Sequence, residues 1–267
     1  MKSISILGCG WLGLPLAKSL LQDGFLIKGS TTSNNKMSIL ENLGITPFLI
    51  SLYEDKIDGN IEGLLEKSAI LIIDIPPKLR GDFKENFVAK IKNLIPFVEK
   101  SDIKKVLFVS STSVYSDAIS IVNATTIPNP DTESGKQLLE VEKLLKTNQK
   151  FKSTLVRFGG LIGEDRNPIK FLSGKKNIEN PYSPINFIHK TDCIGIIKKI
   201  IETDIWNETF NAVAPYHPTR KKYYTQKAIE FGLEIPEFNE ANIATGKIIL
   251  CEKIEAVLRY EFKQTTL

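Results

Sequence analysis

The sequence is poor in the residues that build disulfide scaffolds, metal centres and membrane spans. Its 267 residues include three cysteines and two histidines. Cys9, Cys193 and Cys251 are odd in number and far apart, so they suggest neither a disulfide framework nor a metal-binding spacing. Such sparse thiols fit a reducing, cytoplasmic compartment. His189 and His217 lack partners at ligand spacing, and no metal is expected. No apolar run approaches the roughly 18 residues of a membrane span. Lys2 ahead of Ile6-Leu7-Gly8-Cys9 loosely imitates a lipoprotein leader. Too few apolar residues precede Cys9, however, for a hydrophobic region of about 7–15. There is no internal repeat and no low-complexity tract.

Neither charge sign dominates. Lys and Arg total 35 against 31 Asp and Glu, a net charge of +4. The basic pairs Lys104-Lys105, Lys175-Lys176 and Lys198-Lys199 and the run Arg220-Lys221-Lys222 are spread along the chain. Spread pairs read as solvated faces, so neither a nucleic acid nor a membrane is expected as a partner. A hydrophobic content of 42% with 25% charge is that of an ordinary globular protein. The length suits one large domain, or a nucleotide domain with a small appendage.

The strongest local signal is Ile4-Ser5-Ile6-Leu7-Gly8-Cys9-Gly10-Trp11-Leu12-Gly13. Aliphatic residues run into three glycines, and Leu12, Leu16, Ala17, Leu20 and Leu21 then fall on one helical stripe. Strand, glycine turn and helix follow in the order of a dinucleotide-binding βαβ unit. Gly8 allows the tight turn, Gly10 lets the backbone approach a pyrophosphate, and Gly13 lets the helix sit close on the strand. The N–H groups at the helix start, around Trp11 and Leu12, face the phosphates with the positive end of the helix dipole.

Residues 25–30 read as a second strand. Its tip, Gly29-Ser30-Thr31-Thr32-Ser33 with Lys36 nearby, lacks the carboxylate that binds ribose hydroxyls in NAD-preferring folds. Hydroxyls and an ammonium suit a 2′-phosphate, which favours NADP over NAD; alternatively, Ser33 or Asn34 caps the next helix. Residues 45–51 read as a third strand and 61–67 as a short helix. Residues 69–75 read as a fourth strand, apolar except for Asp74, as a strand covered on both faces should be. It ends at Pro76-Pro77, which cannot continue the ladder and form the loop over the cofactor edge. Asp82 is placed to cap a helix carrying Phe83, Phe87, Ile91, Ile95 and Val98, with Pro96 bending its last turn. Residues 105–110 read as a fifth strand and 151–157 as a sixth. Alternating strand and helix imply an α/β fold, a Rossmann-type doubly wound parallel sheet with right-handed crossovers. Its ligands belong at the carboxyl ends of the strands, so Ser110-Ser111-Thr112-Ser113-Val114-Tyr115 is a segment to inspect for chemistry.

With these pieces in order, the sequence resembles the extended branch of the short-chain dehydrogenase/reductase superfamily over nearly its whole length. Besides the glycine turn, the resemblance rests on Phe108-Val109-Ser110-Ser111-Thr112-Ser113-Val114-Tyr115 and Leu155-Val156-Arg157-Phe158-Gly159-Gly160-Leu161-Ile162-Gly163. Asn186-Phe187-Ile188-His189-Lys190-Thr191-Asp192 and Phe210-Asn211-Ala212-Val213 complete it. The run Trp11-Leu12-Gly13-Leu14-Pro15-Leu16-Ala17 is most similar to the atypical, YeeZ-like group, usually labelled NAD-dependent epimerase/dehydratase. The resemblance implies a Rossmann domain over 1–157. Residues 158–267 would interleave its remaining elements with a small C-terminal, substrate-covering lobe. It implies oxidoreductase or epimerase/dehydratase chemistry on a small sugar-like or nucleotide-linked substrate, and a homodimer packed through the helices near 82–98 and 133–147. By the same resemblance Ser111 bonds the substrate oxygen, and Lys136 holds the nicotinamide ribose and lowers the pKa of a tyrosine four residues before it.

That tyrosine position holds Thr132. A phenol starts near pKa ~10 and an ammonium can bring it towards neutrality, but an aliphatic hydroxyl is too weak an acid to serve in the same way. Three readings are open. Tyr115 replaces the missing phenol, although packing at the strand end explains it equally well. Glu133 or Asp131 acts as the base of an epimerisation or dehydration. Or the dinucleotide binds without turnover, in a sensor or regulator. In the second half, Lys170, Lys175 and Lys176 lie in a loop-rich stretch where they meet an anionic substrate or simply face solvent. His189 reads as a structural link to the helix after Thr191, a good N-cap. A strand near 208–213, a helix near 222–231 and a terminal helix near 253–259 complete the chain.

Overall fold

The structure, a computed structural model, describes residues 2–77, 79, 85–243 and 246–265. Runs of Ile, Leu and Val form strands β1 (Ser3–Leu7), β2 (Leu26–Thr31), β3 (Thr46–Leu49) and β4 (Ile70–Ile73). They continue as β5 (Lys105–Ser111), β6 (Lys152–Phe158) and β7 (Thr209–Ala212). These seven make one parallel sheet in the order β3-β2-β1-β4-β5-β6-β7. After β3 the chain crosses back to the other side of β1, and this reversal opens a crevice at the carboxyl ends of β1 and β4. The expected Rossmann-type α/β fold is the observed one.

Helices cover both faces. On one, Leu16, Ala17 and Leu20 of α1 (Gly13–Gln22) pack with Cys193, Ile196, Ile197 and Ile200 of α6 (Lys190–Thr203). On the other lie α3 (Ile61–Leu65), α4 (Phe87–Lys100) and α5 (Glu133–Thr147). There Leu64, Phe87, Ile91, Leu94, Leu138, Val141 and Leu145 are buried against the sheet. A smaller apolar cluster joins Ile162, Ile169 and Ile185 to Tyr223, Tyr224 and Ala228 of α7 (Arg220–Glu230). Because β7 comes from the second half and pairs with β6, the sheet itself bridges the division at residue 157.

Several local expectations shift. The cap of α4 is Asn86, whose Oδ1 accepts the Ala89 N–H at 3.0 Å, and the helix runs through Pro96 to Lys100. The expected cap Asp82 and Phe83 lie outside the described residues. Neither Ser33 nor Asn34 caps α2 (Met37–Asn42); a 3₁₀ turn, Asn34–Lys36, intervenes. His189, rather than Thr191, caps α6, its Nδ1 accepting the Thr191 N–H at 3.2 Å. The third strand stops at Leu49, and Ser51–Leu52 pairs antiparallel with Ile57–Asp58. Near the C-terminus Ile254–Leu258 is a π-helical turn, ended by Arg259 at φ 51°. Neither α4 nor α5 exposes a large apolar side chain. Lys92 and Glu140 meet across their outer faces at 3.3 Å, so the helices expected at a dimer contact present charge there. No helix among the described residues is long and apolar enough to cross a membrane.

One buried ion pair ties three elements together. Arg157 of β6 donates from Nε to Glu142 Oε1 of α5 at 2.9 Å, and from Nη2 to Oε2 at 2.5 Å. Ser110 of β5 donates to the same carboxylate at 2.6 Å. Only 2% of Glu142 and 7% of Arg157 are exposed. Removing one partner strands the other charge without water. Glu142→Ala is therefore expected to lower stability by about 3–5 kcal/mol in urea unfolding. Lys227→Ala, which breaks a surface pair with Glu230 at 2.8 Å, should cost no more than about 1 kcal/mol.

Candidate functional site

The glycine turn joins β1 to α1 by backbone contact. Gly8 has a φ of 109°, and a Cβ on it would stand 2.3 Å from the Asp74 carbonyl oxygen. A Cβ on Gly13 would stand 2.1 Å from the Gly8 oxygen. The Gly8 N–H is held by Ser30 Oγ at 2.9 Å, and the Cys9 N–H by the Ser30 carbonyl at 2.7 Å. A Cβ on Gly10, by contrast, would meet nothing within 4 Å. Leu12, at the N-cap of α1, gives no side-chain cap, and the backbone N–H groups around Trp11 and Leu12 are left at the positive end of the helix dipole. This bare backbone cradle fits a phosphate group.

A cavity of about 190 Å³ lies over the turn, lined by Gly8, Gly10, Ser30, Thr31, Thr32, Lys36, Asp74 and Pro76 among others. Two of its hydroxyls are already committed: Ser30 holds Gly8, and Thr31 Oγ1 accepts the Ser33 N–H at 3.1 Å. Thr32 and Lys36 are exposed at the rim. Burial pushes the Cys9 thiol up to about 12, so it is neutral. Asp74 follows β4, and its carboxyl accepts the Gly13 N–H. Withdrawal from water raises its pKa to about 7, against the lowering effect of that bond.

Pro76 also borders a larger cleft of about 1000 Å³. Ser111, Ser113, Thr132, Glu133, Ser134, Leu138 and Arg166 line it with Pro77 and Glu85. Ser111 Oγ accepts the Ser113 N–H at 3.1 Å, and Glu133 accepts from Gln137 Nε2 at 2.9 Å. Arg166 stacks on Trp11, 5.0 Å from the ring centre, while Trp11 Nε1 donates to Asp165 Oδ1 at 3.0 Å. Lys190 Nζ sits 4.9 Å above the same ring and binds Asp165 at 2.9 Å. The indole thus fastens the loop that brings Arg166 to the cleft.

The comparisons with known proteins can be set against this geometry. No family model matches the chain. Protein YeeZ of Escherichia coli (strain K12) is 33% identical over 266 residues, covering 98% of this chain and 96% of that protein. The chain belongs to the YeeZ family. A functionally unknown conserved protein from Silicibacter pomeroyi superposes with a TM-score of 0.80 at 19% identity, covering 100% of this chain and 95% of that one. A UDP-glucuronic acid 4-epimerase from Bacillus cereus, solved with UDP-glucuronic acid and NAD, gives 0.79 at 17% identity, covering 98% and 94%. The fold is that of the extended short-chain dehydrogenase/reductases.

For this YeeZ-family chain the structure corrects one expected catalytic position, Tyr115. Tyr115 is 2% exposed and does not line the cleft. Its hydroxyl donates to Asn211 Oδ1 at 2.8 Å and accepts from Arg157 Nη1 at 2.6 Å. A phenol bonded on both sides inside the core cannot replace the missing one. Lys136 is exposed and also absent from the lining. Thr132, Glu133, Ser134 and Leu138 line the cleft, and Lys136, one turn on from Thr132, projects from the same side as Thr132 and Glu133 into solvent. Thr132 caps α5, its Oγ1 accepting the Gly135 N–H at 3.1 Å. Asp131 is turned to the Asp117 N–H at 2.8 Å, and that bond holds its carboxyl below the usual range. Ser111 and Glu133 do reach the cleft. Lys170, Lys175 and Lys176 do not line it, and Lys176 pairs with Glu237 at 3.3 Å. Reading the sequence missed Arg166, Ser134 and the carboxyl of Asp74; a bulky Trp inside a glycine turn was the one signal of a loop docking there.

A second cavity, of about 510 Å³, lies at the amino ends of β5 and β6 and gathers Lys104, Lys105, Lys146, Lys150 and Lys152. Helices α4, α5 and α6 end on that side, and cations there balance their carbonyl ends. Among the described residues no group of three or more His, Cys, Asp or Glu is placed to hold a metal.

The glycines predict different outcomes. Gly13→Ala should cost about 1–3 kcal/mol or more, because backbone must move. Gly10→Ala should stay within about 0.5 kcal/mol of the parent in thermal melts. For Asp74, the folded state keeps a proton that the unfolded chain loses near its ordinary 3.8. Stability from this group is complete below about 4 and is lost as pH rises through about 7. Asp74→Asn should flatten that part of the stability-against-pH curve.

Proposed function

We propose that the crevice holds NAD(P) and the adjoining cleft a small sugar-like or nucleotide-linked molecule, in a protein of the epimerase/dehydratase type that works without a phenol. The observation that carries this reading is the bare backbone at Gly10, which lines a cavity that shares Pro76 with the larger cleft. The diphosphate would lie against Gly8, Gly10, Trp11, Leu12 and Gly13. Thr32 and Lys36 supply a hydroxyl and an ammonium at the rim, with no carboxylate at the end of β2, which favours the 2′-phosphate of NADP over NAD. The Bacillus cereus epimerase of the same fold was solved with NAD. A bound nicotinamide supplies hydride exchange at the cleft mouth.

The chain's own residues do the rest. Ser111 donates to a substrate oxygen, and Arg166 holds an anionic group such as a carboxylate or diphosphate. Glu133 takes the proton of a substrate hydroxyl, which must leave as that carbinol is oxidised, and returns it on reduction. In a dehydration the same carboxylate can take the proton from the carbon next to the carbonyl so formed, and the hydroxyl beyond leaves as water. A second reading, a dinucleotide-binding regulator without turnover, is favoured by the burial of Tyr115 and the absence of Lys136 from the cleft lining.

The test is a fluorescence titration with NADH and NADPH, followed by a product screen with nucleotide sugars. Both nucleotides should bind, and Gly10→Ala should weaken both at least tenfold. Lys36→Ala should weaken NADPH about tenfold while leaving NADH nearly unchanged, as expected for one charge-assisted contact. Glu133→Gln should abolish turnover that Tyr115→Phe retains per folded molecule. Binding without product formation selects the regulator, and binding of neither nucleotide ends the proposal.

A further inference from the structure

We infer that Asp74 makes dinucleotide binding a proton-consuming step, because the crevice accepts a diphosphate only when that carboxyl is neutral. This rests on the dinucleotide reading of the crevice. Asp74 is fixed where β1 and β4 diverge, its N–H bonded to the Leu7 carbonyl at 2.9 Å. Its side chain lines the same cavity as Gly8 and Gly10. One carboxyl oxygen lies 3.0 Å from where a Cβ on Gly13 would stand, at the opening of α1. A protein anion therefore sits at the helix end that a ligand's phosphates are expected to use.

Among the described residues, no cation pairs with it. The groups facing it from the glycine turn and from α6 are the thiols of Cys9 and Cys193, both pushed up by burial and so uncharged. Lys90 of α4 lines the cavity but is paired with Glu85. Lys36 lines it from the chain after β2 and makes no ion pair with Asp74 among the described residues. An ionised Asp74 beside a doubly charged diphosphate places like charges together in a partly dry crevice, where water screens them poorly. Protonation removes the conflict without moving an atom, and a neutral carboxyl still accepts the Gly13 N–H.

The experiment is calorimetric titration with NADH between pH 6 and 8.5, in buffer pairs of different ionisation enthalpy. The expected result is uptake of close to one proton at the alkaline end, vanishing at the acid end. Affinity should fall about tenfold per pH unit above neutrality. Asp74→Asn, which keeps an acceptor for Gly13, should bind tightly at pH 8 with no buffer-dependent heat. Binding with no proton uptake by the parent overturns the inference while leaving the dinucleotide reading intact. Absence of NADH binding at every pH overturns both. The parent's proton count needs no variant, so a poorly folding Asp74→Asn would not spare the inference.

Discussion

The structure depends on backbone approaching backbone where β1, β4 and α1 meet. Gly8 lies against the carbonyl of Asp74, and Gly13 lies against that of Gly8. With side chains excluded there, the start of α1 is pulled down between the two central strands, and its free N–H groups come to rest over the gap that the sheet reversal opens. Ser30 secures the arrangement from β2 by binding both Gly8 and Cys9. The crevice is thus formed by main chain, which holds its geometry whichever ligand occupies it.

A second fixed point lies deeper. The Glu142–Arg157 pair, joined by Ser110, Tyr115 and Asn211, links α5 to β5, β6 and β7. Buried charges require complete sets of partners, and Tyr115 is one of Arg157's partners. This explains why the tyrosine following the Ser111 segment turns inward. The network also fixes α5 against the sheet: with Glu142 held inward, Leu138 and Ser134, one and two turns earlier, lie on the same side of the helix and line the cleft.

The fold was legible because its signals are local. β-branched and aliphatic runs, glycines in strand–turn–helix order and helical stripes such as Leu138, Val141 and Leu145 each report their own element. The capping errors were also local: Asn86, His189 and the 3₁₀ turn at Asn34–Lys36 replaced equally plausible neighbours. The site was legible only where it is made of backbone. Gly8, Gly10 and Gly13 were readable, as were the rim residues Thr32 and Lys36. What spacing cannot report is the rotation of a helix about its axis, and the Tyr-x-x-x-Lys alignment fixed Lys136 in sequence without fixing the face it occupies. Arg166 and Asp74 went unread for a related reason. One reaches the cleft through a loop docked on Trp11, and the other is a lone polar residue at the end of an apolar strand.

The two fixed points have different consequences for chemistry. The glycine turn presents bare backbone that suits a diphosphate, whereas among the described residues lining the cleft there is no tyrosine or lysine to carry a hydroxyl proton near neutral pH. Under the proposed reading, acid–base function therefore rests on the carboxylate of Glu133 and the hydroxyls of Ser111 and Ser134. Asp74 carries particular weight because it lines the crevice beside the glycine turn and withdrawal from water raises its pKa to about 7. If the crevice holds a dinucleotide as proposed, binding and the protonation of that carboxyl are coupled by the close packing of the chain after β4 against the glycine turn.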